Sequence, residues 1–509
     1  MFENQPKGLF ALALANIGER FGYYTMLAIF VLFLQSNFGW GEGLAGTVYA
    51  SFLMLVYFLP ILGGAIADKI GFAKCVTFGI LVMFLGYLML ALPAGKGVAA
   101  ISIMAAALVL VCIGTSLFKG NLQVLVGKLY DNPKYAKERD NGFSIFYMAI
   151  NIGALFAPTA AIKIKQWAMT SLGATESTAY HYAFGVACVS LIISILIFYG
   201  FRWTFADLLK EEKQKKQAQT NNSTANTETT AVKEEDAADT KSRLTALFLV
   251  FAVVVFFWMA FHQNGLTLTY FARDFTKEHI NGLETMLFDV WNLVGVIVVV
   301  YGLFALFQSK TKKGVTISAI VIALAAAYLV YEYTQIPVNG ISIEPPIFQQ
   351  FNPSFVVLLT PVSMSIFSSL AAKGKDLSAP RKIGYGMLVA ALGYVIMIVA
   401  SIGLSYNLND AQRVSPLWLV ATYLVLTFAE LLLSPMGISF VSKVAPQKYQ
   451  GLMMGCWFGA TAIGNFLVQI PAYLWNNVPL TLVWGVLVAL CFVSFIFIFS
   501  VMKKLEKVC

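Results

Sequence analysis

Fourteen apolar segments dominate this chain, and each is long enough to cross a lipid bilayer. About 20 apolar residues in a helix span the roughly 30 Å hydrocarbon core. Only 12% of the residues are charged and 59% are hydrophobic, whereas a soluble domain carries about 25% charged residues. The sequence therefore predicts an all-α polytopic membrane protein. The predicted helices cover residues 8–35, 44–67, 73–94, 99–127, 142–163, 181–202, 244–271, 284–308, 314–332, 352–371, 382–405, 416–441, 451–474 and 479–502.

Basic residues in the short loops predict the orientation of these helices. Lysine and arginine are enriched in cytoplasmic loops, and here they follow even-numbered helices. Both termini are therefore predicted to be cytoplasmic, and topology explains the net charge of +9 without any binding to nucleic acid. The basic loop residues are Lys69, Lys74, Lys134, Lys137, Arg139, Lys310, Lys312, Lys313, Lys373, Lys375, Arg381, Lys382, Lys503, Lys504 and Lys507.

A polar stretch divides the helices into two groups. Residues 203–243 are predicted to form a cytoplasmic linker, because most of this stretch is too polar to bury the apolar surface that folding requires. A site between two bundles is the usual plan of a transporter. We expect a six-helix N-terminal bundle over 1–202, the first helix of a C-terminal bundle over 244–283, an inserted hairpin over 284–332 and the remainder of that bundle over 333–509.

The first apolar helix carries ionisable residues near its centre. Glu19 and Arg20 lie about 17 Å along a helix that starts near Lys7, at 1.5 Å per residue. Ionisable residues at that depth face the protein interior and usually serve a function. A spacing of i, i+3, i+4, i+7 and i+8 places the polar and aromatic residues of this segment on one helix face. The stripe consists of Asn16, Glu19, Arg20, Tyr23 and Tyr24.

Three other helices have an ionisable residue at a similar depth: Lys119, His262 and Glu430. Each alone is compatible with a structural pair. Together with Glu19 and Arg20 they form a set with both signs of charge, which suits a zwitterionic ligand. Nearby aromatic residues offer either apolar walls with cation–π faces or plain packing; they are Tyr24, Tyr57, Trp258 and Trp457.

The loop after helix 2 has a glycine-rich, charged sequence. Residues Gly63 to Gly71 resemble the helix 2–3 loop of the major facilitator superfamily. Its glycines permit close helix packing. Asp68 and Lys69 are predicted to pair at a gate.

Eight motifs in chain order resemble the proton-coupled oligopeptide transporter (POT) family. The first is similar to its ExxERFxYY motif, Lys119-Gly120-Asn121 to its KPN, and Phe257–Gln263 to its FWxxxEQ. The resemblance implies a major facilitator fold with two six-helix bundles plus two extra helices. The motifs lie at Asn16–Tyr24, Lys119–Asn121, Phe143–Ala154, Phe257–Gln263, Asn352–Pro361, Ser378–Gly386, Glu430–Gly437 and Gly451–Asn465.

The resemblance also implies a role for each site residue. Arg20 and Lys119 would bind the peptide carboxylate, and Glu19 would pair with one of them and exchange that partner on protonation. The peptide amino terminus and backbone would be bound by Asn151, Asn352 and Glu430. Side-chain pockets would be lined by Tyr23, Tyr24, Tyr57, Trp258 and Trp457.

The chain departs from the family pattern at three points. Asn16 replaces a motif glutamate and cannot titrate, whereas His262 replaces another and titrates near neutral pH. Proton coupling is therefore expected to run through Glu19, His262 and Glu430, or to be weak. The extra hairpin lies between family helices 7 and 8, whereas bacterial members usually carry it between helices 6 and 7.

The sequence thus predicts a proton symporter that imports di- and tripeptides by alternating access. Bends at Gly265, Pro435 and Gly437 are expected to contribute to gating, since breakers inside a bundle let half-helices tilt. We expect a monomer in the bacterial cytoplasmic membrane, with lipid around it, no enzymatic activity, and no cofactor or metal beyond the coupling proton. Transport of nitrate or a modified amino acid stays open as an alternative.

Overall fold

The computed structural model describes residues 5–210, 237–309, 311–374, 377–405, 412–446 and 449–508. Fourteen stretches of helix in the described part are long and apolar enough to cross a membrane, so the predicted fourteen-helix architecture is confirmed. The helices are α1 Lys7–Phe38, α2 Glu42–Phe58, α3 Pro60–Ile70, α4 Phe72–Ala91, α5 Val98–Leu129, α6 Arg139–Ser171, α7 Glu176–Gly200, α8 Ala237–Phe261, α9 Thr267–Asp274, α10 Glu284–Leu287, α11 Val290–Gln308, α12 Lys312–Thr334, α13 Phe351–Ala372, α14 Ala379–Ala400, α15 Leu417–Val444, α16 Gln450–Leu467, α17 Gln469–Leu474, α18 Leu480–Ser500 and α19 Met502–Glu506.

Two of the spans are built from helices that meet at a break. Leu59 separates α2 from α3, and Pro60 begins α3, where its missing N–H interrupts the hydrogen bonding of a continuous helix. Val468 separates α16 from α17. A third span is interrupted by a 3₁₀ turn at His262–Gly265, between α8 and α9. Interrupted helices inside a membrane protein are tolerated where side chains satisfy the freed backbone groups.

One compact unit comprises residues 1–255 and Val441–Leu467. In it α1 packs on α6 and α7, α4 packs on α5 and α7, and α16 packs along α2. Glycine allows these close approaches: a Cβ added at Gly153 of α6 would lie 2.8 Å from the carbonyl oxygen of Ile17. The polar face of α1 is thereby held in a fixed orientation within this unit.

The second unit comprises Phe256–Phe440 and Val468–Lys507. Its α14 packs on α18, and its inserted hairpin consists of α11 packed on α12. Two short antiparallel strands, β1 His279–Ile280 and β2 Ile341–Ser342, flank that hairpin in the sequence and pair with each other. The strands therefore close the insertion at its base.

The two units do not follow the bundle boundaries expected from the sequence. Val441–Leu467 belongs to the first unit because α16 packs along α2, although we assigned it to the C-terminal bundle. The boundary between the units also falls inside α8, after Val255. Most of the expected linker, residues 211–236, lies outside the described residues. The predicted domain limits therefore stay a prediction.

A surface ion pair joins the end of the chain to the start of α14. Arg381 donates to both carboxylate oxygens of Glu506, at 2.6 and 3.1 Å, and Ser378 Oγ donates to the same carboxylate at 2.7 Å. The hydrogen bond from Arg381, followed by that from Ser378, lowers the pKa of Glu506 below its ordinary value.

We expect this pair to make a small, pH-dependent contribution to stability. Because the folded state lowers the Glu506 pKa, the contribution is complete above the ordinary glutamate pKa of about 4.3 and is lost as the pH falls through the folded-state value. We expect the melting temperature of Glu506→Gln to be lower than that of the parent at pH 6. The difference between the two melting temperatures should shrink as the pH is lowered towards 3. A gap of constant size would contradict this assignment.

Candidate functional site

Glu19 and Arg20 form a buried bidentate ion pair in α1. Arg20 Nε lies 2.5 Å from Glu19 Oε2, and Nη2 lies 2.6 Å from Oε1. Their side chains are only 1% and 4% exposed. The Arg20 guanidinium also lies 4.9 Å from the centroid of the Tyr23 ring. Of the two partners that the sequence left open for Glu19, the structure therefore shows Arg20.

Lys119 of α5 lies against an aromatic ring rather than a carboxylate. Its Nζ is 4.1 Å from the centroid of the Tyr57 ring, and it lies within electrostatic range of Glu19 and Arg20. Lys119 forms no ion pair with any residue that the structure describes. A cation–π contact leaves ammonium donors available, so Lys119 is able to bind an anionic group.

The break between α2 and α3 positions Tyr57 relative to Lys119. Ser116, one turn before Lys119 in α5, donates through Oγ to the Leu59 carbonyl at 2.7 Å. Asn121 Nδ2 donates to the Gly63 carbonyl at 3.3 Å, on the other side of Pro60. Both hydrogen bonds attach α5 to the broken span and so fix the register of the Lys119–Tyr57 contact.

Tyrosine rings surround these charged groups within the first unit. Tyr23 and Tyr24 meet edge to face, with centroids 5.2 Å apart. Two further tyrosines, which sequence reasoning missed, are fully buried nearby: Tyr49 interacts electrostatically with Tyr24, and Tyr87 with Glu19 and Arg20. Neither lies in a motif that we used, and only their positions within apolar helices hint at a role.

Three other predicted site residues are buried in the same unit. Asn16 lies one turn before Glu19, and its Nδ2 has no hydrogen-bond partner among the described residues. Asn151 Nδ2 donates to the Tyr147 carbonyl within α6 at 3.1 Å. Trp457 of α16 packs edge to face against Phe251, with centroids 6.3 Å apart. The structure thus assigns Trp457 to the unit that contains Arg20 and Lys119.

In the second unit, Glu430 is held by an asparagine. Asn352 Nδ2 donates to Glu430 Oε2 at 3.0 Å and lies at the same distance from Thr427 Oγ1. Thr427 in turn donates to the Tyr423 carbonyl at 2.7 Å. Glu430 is 9% exposed and forms no ion pair with any described residue. The network orients a buried carboxylate without neutralising it by a counter-ion.

His262 begins the 3₁₀ turn that interrupts the α8–α9 span. Its ring stacks on Trp258 with centroids 5.2 Å apart, and Phe261 meets it edge to face at 5.5 Å. The aromatic contacts fix the plane of the imidazole. Gly265 lies at the end of the same turn, and Leu266 then adopts φ −128° and ψ −94° before α9 begins.

Gln263 forms hydrogen bonds at two helix breaks, its own and the one at Val468, where the second unit resumes. Its Nε2 donates to the carbonyls of Met259 and Val468, both at 3.1 Å, and its Oε1 accepts from Thr267 Oγ1 at 2.7 Å. Gln263 is fully buried. One amide side chain therefore satisfies backbone and hydroxyl groups at the α8–α9 break and at the α16–α17 break.

Two tyrosines satisfy carbonyls around the α8–α9 break. Tyr394 of α14 donates to the Ala260 carbonyl at 2.5 Å, and Tyr423 of α15 donates to the Asn264 carbonyl at 2.9 Å. A continuous helix would satisfy such groups with its own amides. We missed Tyr394 and Tyr423 because the sequence shows only that they lie in apolar helices, not which backbone groups they meet.

The residues predicted to gate transport lie at different places. Asp68 and Lys69 are exposed near the end of α3. Pro435 and Gly437 lie within α15, which is a continuous helix through both. Gly265 alone coincides with a break. The gating roles themselves stay predictions.

Among the described residues, fourteen helical stretches are able to cross a membrane, several are interrupted and some carry buried charges; together they indicate a polytopic membrane protein built like a secondary transporter. The family model described as "POT family" matches residues 73–208 and 331–484, together more than half of the chain. The chain belongs to the POT family. It is therefore a multi-pass protein of the cytoplasmic membrane, like the bacterial relatives of that family.

Named relatives extend over nearly the whole chain. The peptide transporter YePEPT of Yersinia enterocolitica is 29% identical over 91% of this chain and 87% of its own length. Dipeptide and tripeptide permease B of Salmonella typhimurium is 26% identical over 92% and 87%. The chain is also similar to a POT family transporter whose crystal structure is in complex with 5-aminolevulinic acid. The two sequences are 21% identical, the TM-score is 0.74, and the match covers 99% of this chain and 98% of the other. This last likeness shows the shared fold.

Proposed function

We propose that this protein imports di- and tripeptides by proton symport with alternating access. One observation carries the proposal: the first unit offers a cation with no carboxylate partner among the described residues, and the second offers a buried carboxylate with no cation partner there. A small peptide is a zwitterion whose two ends match these two groups. The names of the Yersinia and Salmonella relatives support the same substrate class.

The peptide carboxylate would bind to Lys119 and Arg20. The Lys119 ammonium keeps its donors available beside Tyr57, and the guanidinium supplies planar, bidentate donors. Because Arg20 is already paired with Glu19, a second carboxylate competes with Glu19 for it. That competition couples binding of the anion to the state of Glu19.

The peptide ammonium would bind to Glu430. Asn352 already occupies Oε2 of this carboxylate and fixes its direction, and the acceptor capacity of a carboxylate exceeds one hydrogen bond. Asn151 would add contacts to the peptide backbone, and Tyr23, Tyr24, Tyr57, Trp258 and Trp457 would form apolar walls. Nitrate needs no ammonium site, so Glu430 supports a peptide over a bare anion.

Proton coupling would follow from the exchange of ion-pair partners at Glu19. When the substrate carboxylate takes the cation, the buried Glu19 charge loses its compensation and favours a bound proton. His262 and Glu430 would supply further proton sites. The functional unit would be a monomer, since one chain carries the complete set of site residues.

The proposal is tested by measuring uptake of labelled dialanine into proteoliposomes in the presence of three competitors: dialanine itself, its C-terminal amide and its N-acetyl derivative. Unlabelled dialanine should compete with labelled dialanine for uptake, whereas alanyl-alaninamide and N-acetyl-dialanine should compete poorly. Lys119→Gln should weaken dialanine binding by about 10- to 100-fold, because a hydrogen bond to a charged group contributes about 1.5–3 kcal/mol. The same variant should no longer distinguish dialanine from its amide.

The outcomes separate recognition from energy coupling. Lack of uptake and of any binding would reject the peptide assignment altogether. Uptake that ignores an imposed pH gradient would reject symport but leave peptide recognition intact. Equal competition by dialanine and alanyl-alaninamide would show that Lys119 and Arg20 do not bind the substrate carboxylate.

A further inference from the structure

A groove on the surface of the first unit lies between the start of α4 and the end of α7. Its volume accessible to water is about 300 Å³. Two basic residues line it, Lys74 and Arg202, and both side chains are exposed. Neither forms an ion pair with any residue in the part of the chain that the structure describes. The groove therefore presents two uncompensated positive charges.

Aromatic residues place this groove at the level of the lipid headgroups. Arg202 lies 5.4 Å from the centroid of the Tyr199 ring, and Lys7 lies 5.9 Å from that of Trp203. Tyr199 and Trp203 are 45% and 65% exposed. Tyrosine and tryptophan concentrate where hydrocarbon meets water, and long basic side chains extend toward the same region.

Two apolar stripes lead away from the groove toward the bilayer centre. Each runs along one helix at a spacing of three or four residues and spans eleven residues. The ten steps between its first and last residue give about 15 Å of helix, half of the roughly 30 Å hydrocarbon core. That length matches one acyl chain in a single leaflet. The exposed members are Phe78, Leu81, Leu85 and Leu88 on α4, and Val189, Ile192, Ile193, Leu196 and Tyr199 on α7.

We propose that this groove binds an anionic phospholipid, with its phosphate at Lys74 and Arg202 and its acyl chains along the stripes of α4 and α7. A basic pocket between membrane helices is suited to an anionic headgroup, and the stripes suit the chains. Two residues that line the groove, Thr77 and Tyr199, share a hydrogen bond of 3.0 Å between their hydroxyls. That bond joins α4 to α7 beside the two basic residues. The site is independent of peptide binding.

Native mass spectrometry of the purified full chain tests the proposal with phosphatidylglycerol and with phosphatidylcholine of identical acyl chains. Phosphatidylglycerol should bind more tightly, and Lys74→Gln with Arg202→Gln should reduce its affinity about 25-fold, because each basic residue near an anionic surface contributes about fivefold. The double variant should bind phosphatidylcholine as the parent does. Lys312→Gln with Lys313→Gln, at the exposed start of α12, serves as the matched control and should change neither affinity.

Three results would overturn the assignment. Equal affinity of the parent for the two lipids would show that the groove does not select an anionic headgroup and that lipids bind there only unspecifically. Undiminished phosphatidylglycerol binding by the Lys74 and Arg202 variant would place the lipid elsewhere. Displacement of phosphatidylglycerol by inorganic phosphate at low millimolar concentration would reveal a soluble-anion site without a lipid contribution. Because no peptide or gradient is used, these results stand apart from the outcome of the transport assays.

Discussion

Glu19→Gln should abolish accumulation of peptide against its gradient while exchange across the membrane continues. The carboxylate is 1% exposed and gives both oxygens to Arg20. Glutamine keeps the size and one acceptor oxygen for the guanidinium, but it cannot take up or release a proton. If coupling runs through Glu19 as proposed, it loses its central group, whereas the proposed peptide contacts of Lys119, Asn352 and Glu430 are left in place.

Two transport assays on the same proteoliposomes measure this separation. Accumulation is driven by an inward proton gradient, and counterflow follows labelled dialanine into liposomes preloaded with unlabelled peptide. Asp207→Asn is the matched control, since Asp207 belongs to the same unit but is 94% exposed and pairs with Lys210, which is 73% exposed. It should leave both assays unchanged. Full accumulation by Glu19→Gln would show that protons cross through other residues.

The same substitution should also lower stability. Removing one partner of a buried ion pair costs about 3–5 kcal/mol when the other charge is left without compensation. Glutamine retains an acceptor, so we expect a loss near the lower end of that range. Glu19→Ala, which removes the acceptor as well, should be more destabilised than Glu19→Gln. Equal unfolding free energies for the two variants would contradict this account of the pair.

The spans and the polar stripe were predictable because each depends on local periodicity. Apolar length alone identifies a membrane helix, and the 3.6-residue repeat places Asn16, Glu19 and Arg20 on one face. The sequence left both Arg20 and Lys119 as possible partners of Glu19. It could not favour Arg20, because neighbouring residues on a helix normally point in different directions. Only the three-dimensional structure shows that these two side chains converge.

Contacts between distant segments could not be predicted from the sequence. The hydrogen bonds of Gln263 to Val468 and of Asn352 to Glu430 join residues 205 and 78 positions apart. A motif can mark such residues without showing which atoms they meet. The assignment of α16 to the first unit has the same origin, since its packing along α2 is decided by tertiary contacts.

The helix breaks share one physical solution. At each break a side chain from elsewhere donates to a backbone carbonyl: Ser116 to Leu59, Tyr423 to Asn264 and Gln263 to Val468. A carbonyl left without any partner in a bilayer would cost several kcal/mol. The Leu59 carbonyl also accepts from the Gly63 amide at 3.0 Å and the Asn264 carbonyl from Thr269 Oγ1 at 3.0 Å, so each of these two breaks has more than one donor. The breaks are thus specific structures with assigned partners. Any gating motion at Gly265 must preserve or exchange these hydrogen bonds.

Gln263→Leu tests this view, because one substitution removes the donors for two carbonyls. Leucine has nearly the same size but leaves Val468 and Met259 without the hydrogen bonds from Gln263 and deprives Thr267 of its acceptor. Each buried group left unsatisfied costs about 1–3 kcal/mol. We therefore expect the free energy of unfolding to fall by about 3 kcal/mol or more, with accumulation and counterflow reduced together.

A double-mutant cycle of Gln263→Leu with Thr267→Val measures the interaction between these two side chains. Thr267→Val alone should cost about 1 kcal/mol, the typical net contribution of one hydrogen bond. Adding it to Gln263→Leu should cost almost nothing more, since the two side chains already interact with each other. Gln335→Leu, at the exposed end of α12, is the control and should change stability by less than about 0.5 kcal/mol. Unchanged unfolding of Gln263→Leu, or full additivity in the cycle, would show that the two breaks are maintained without this glutamine.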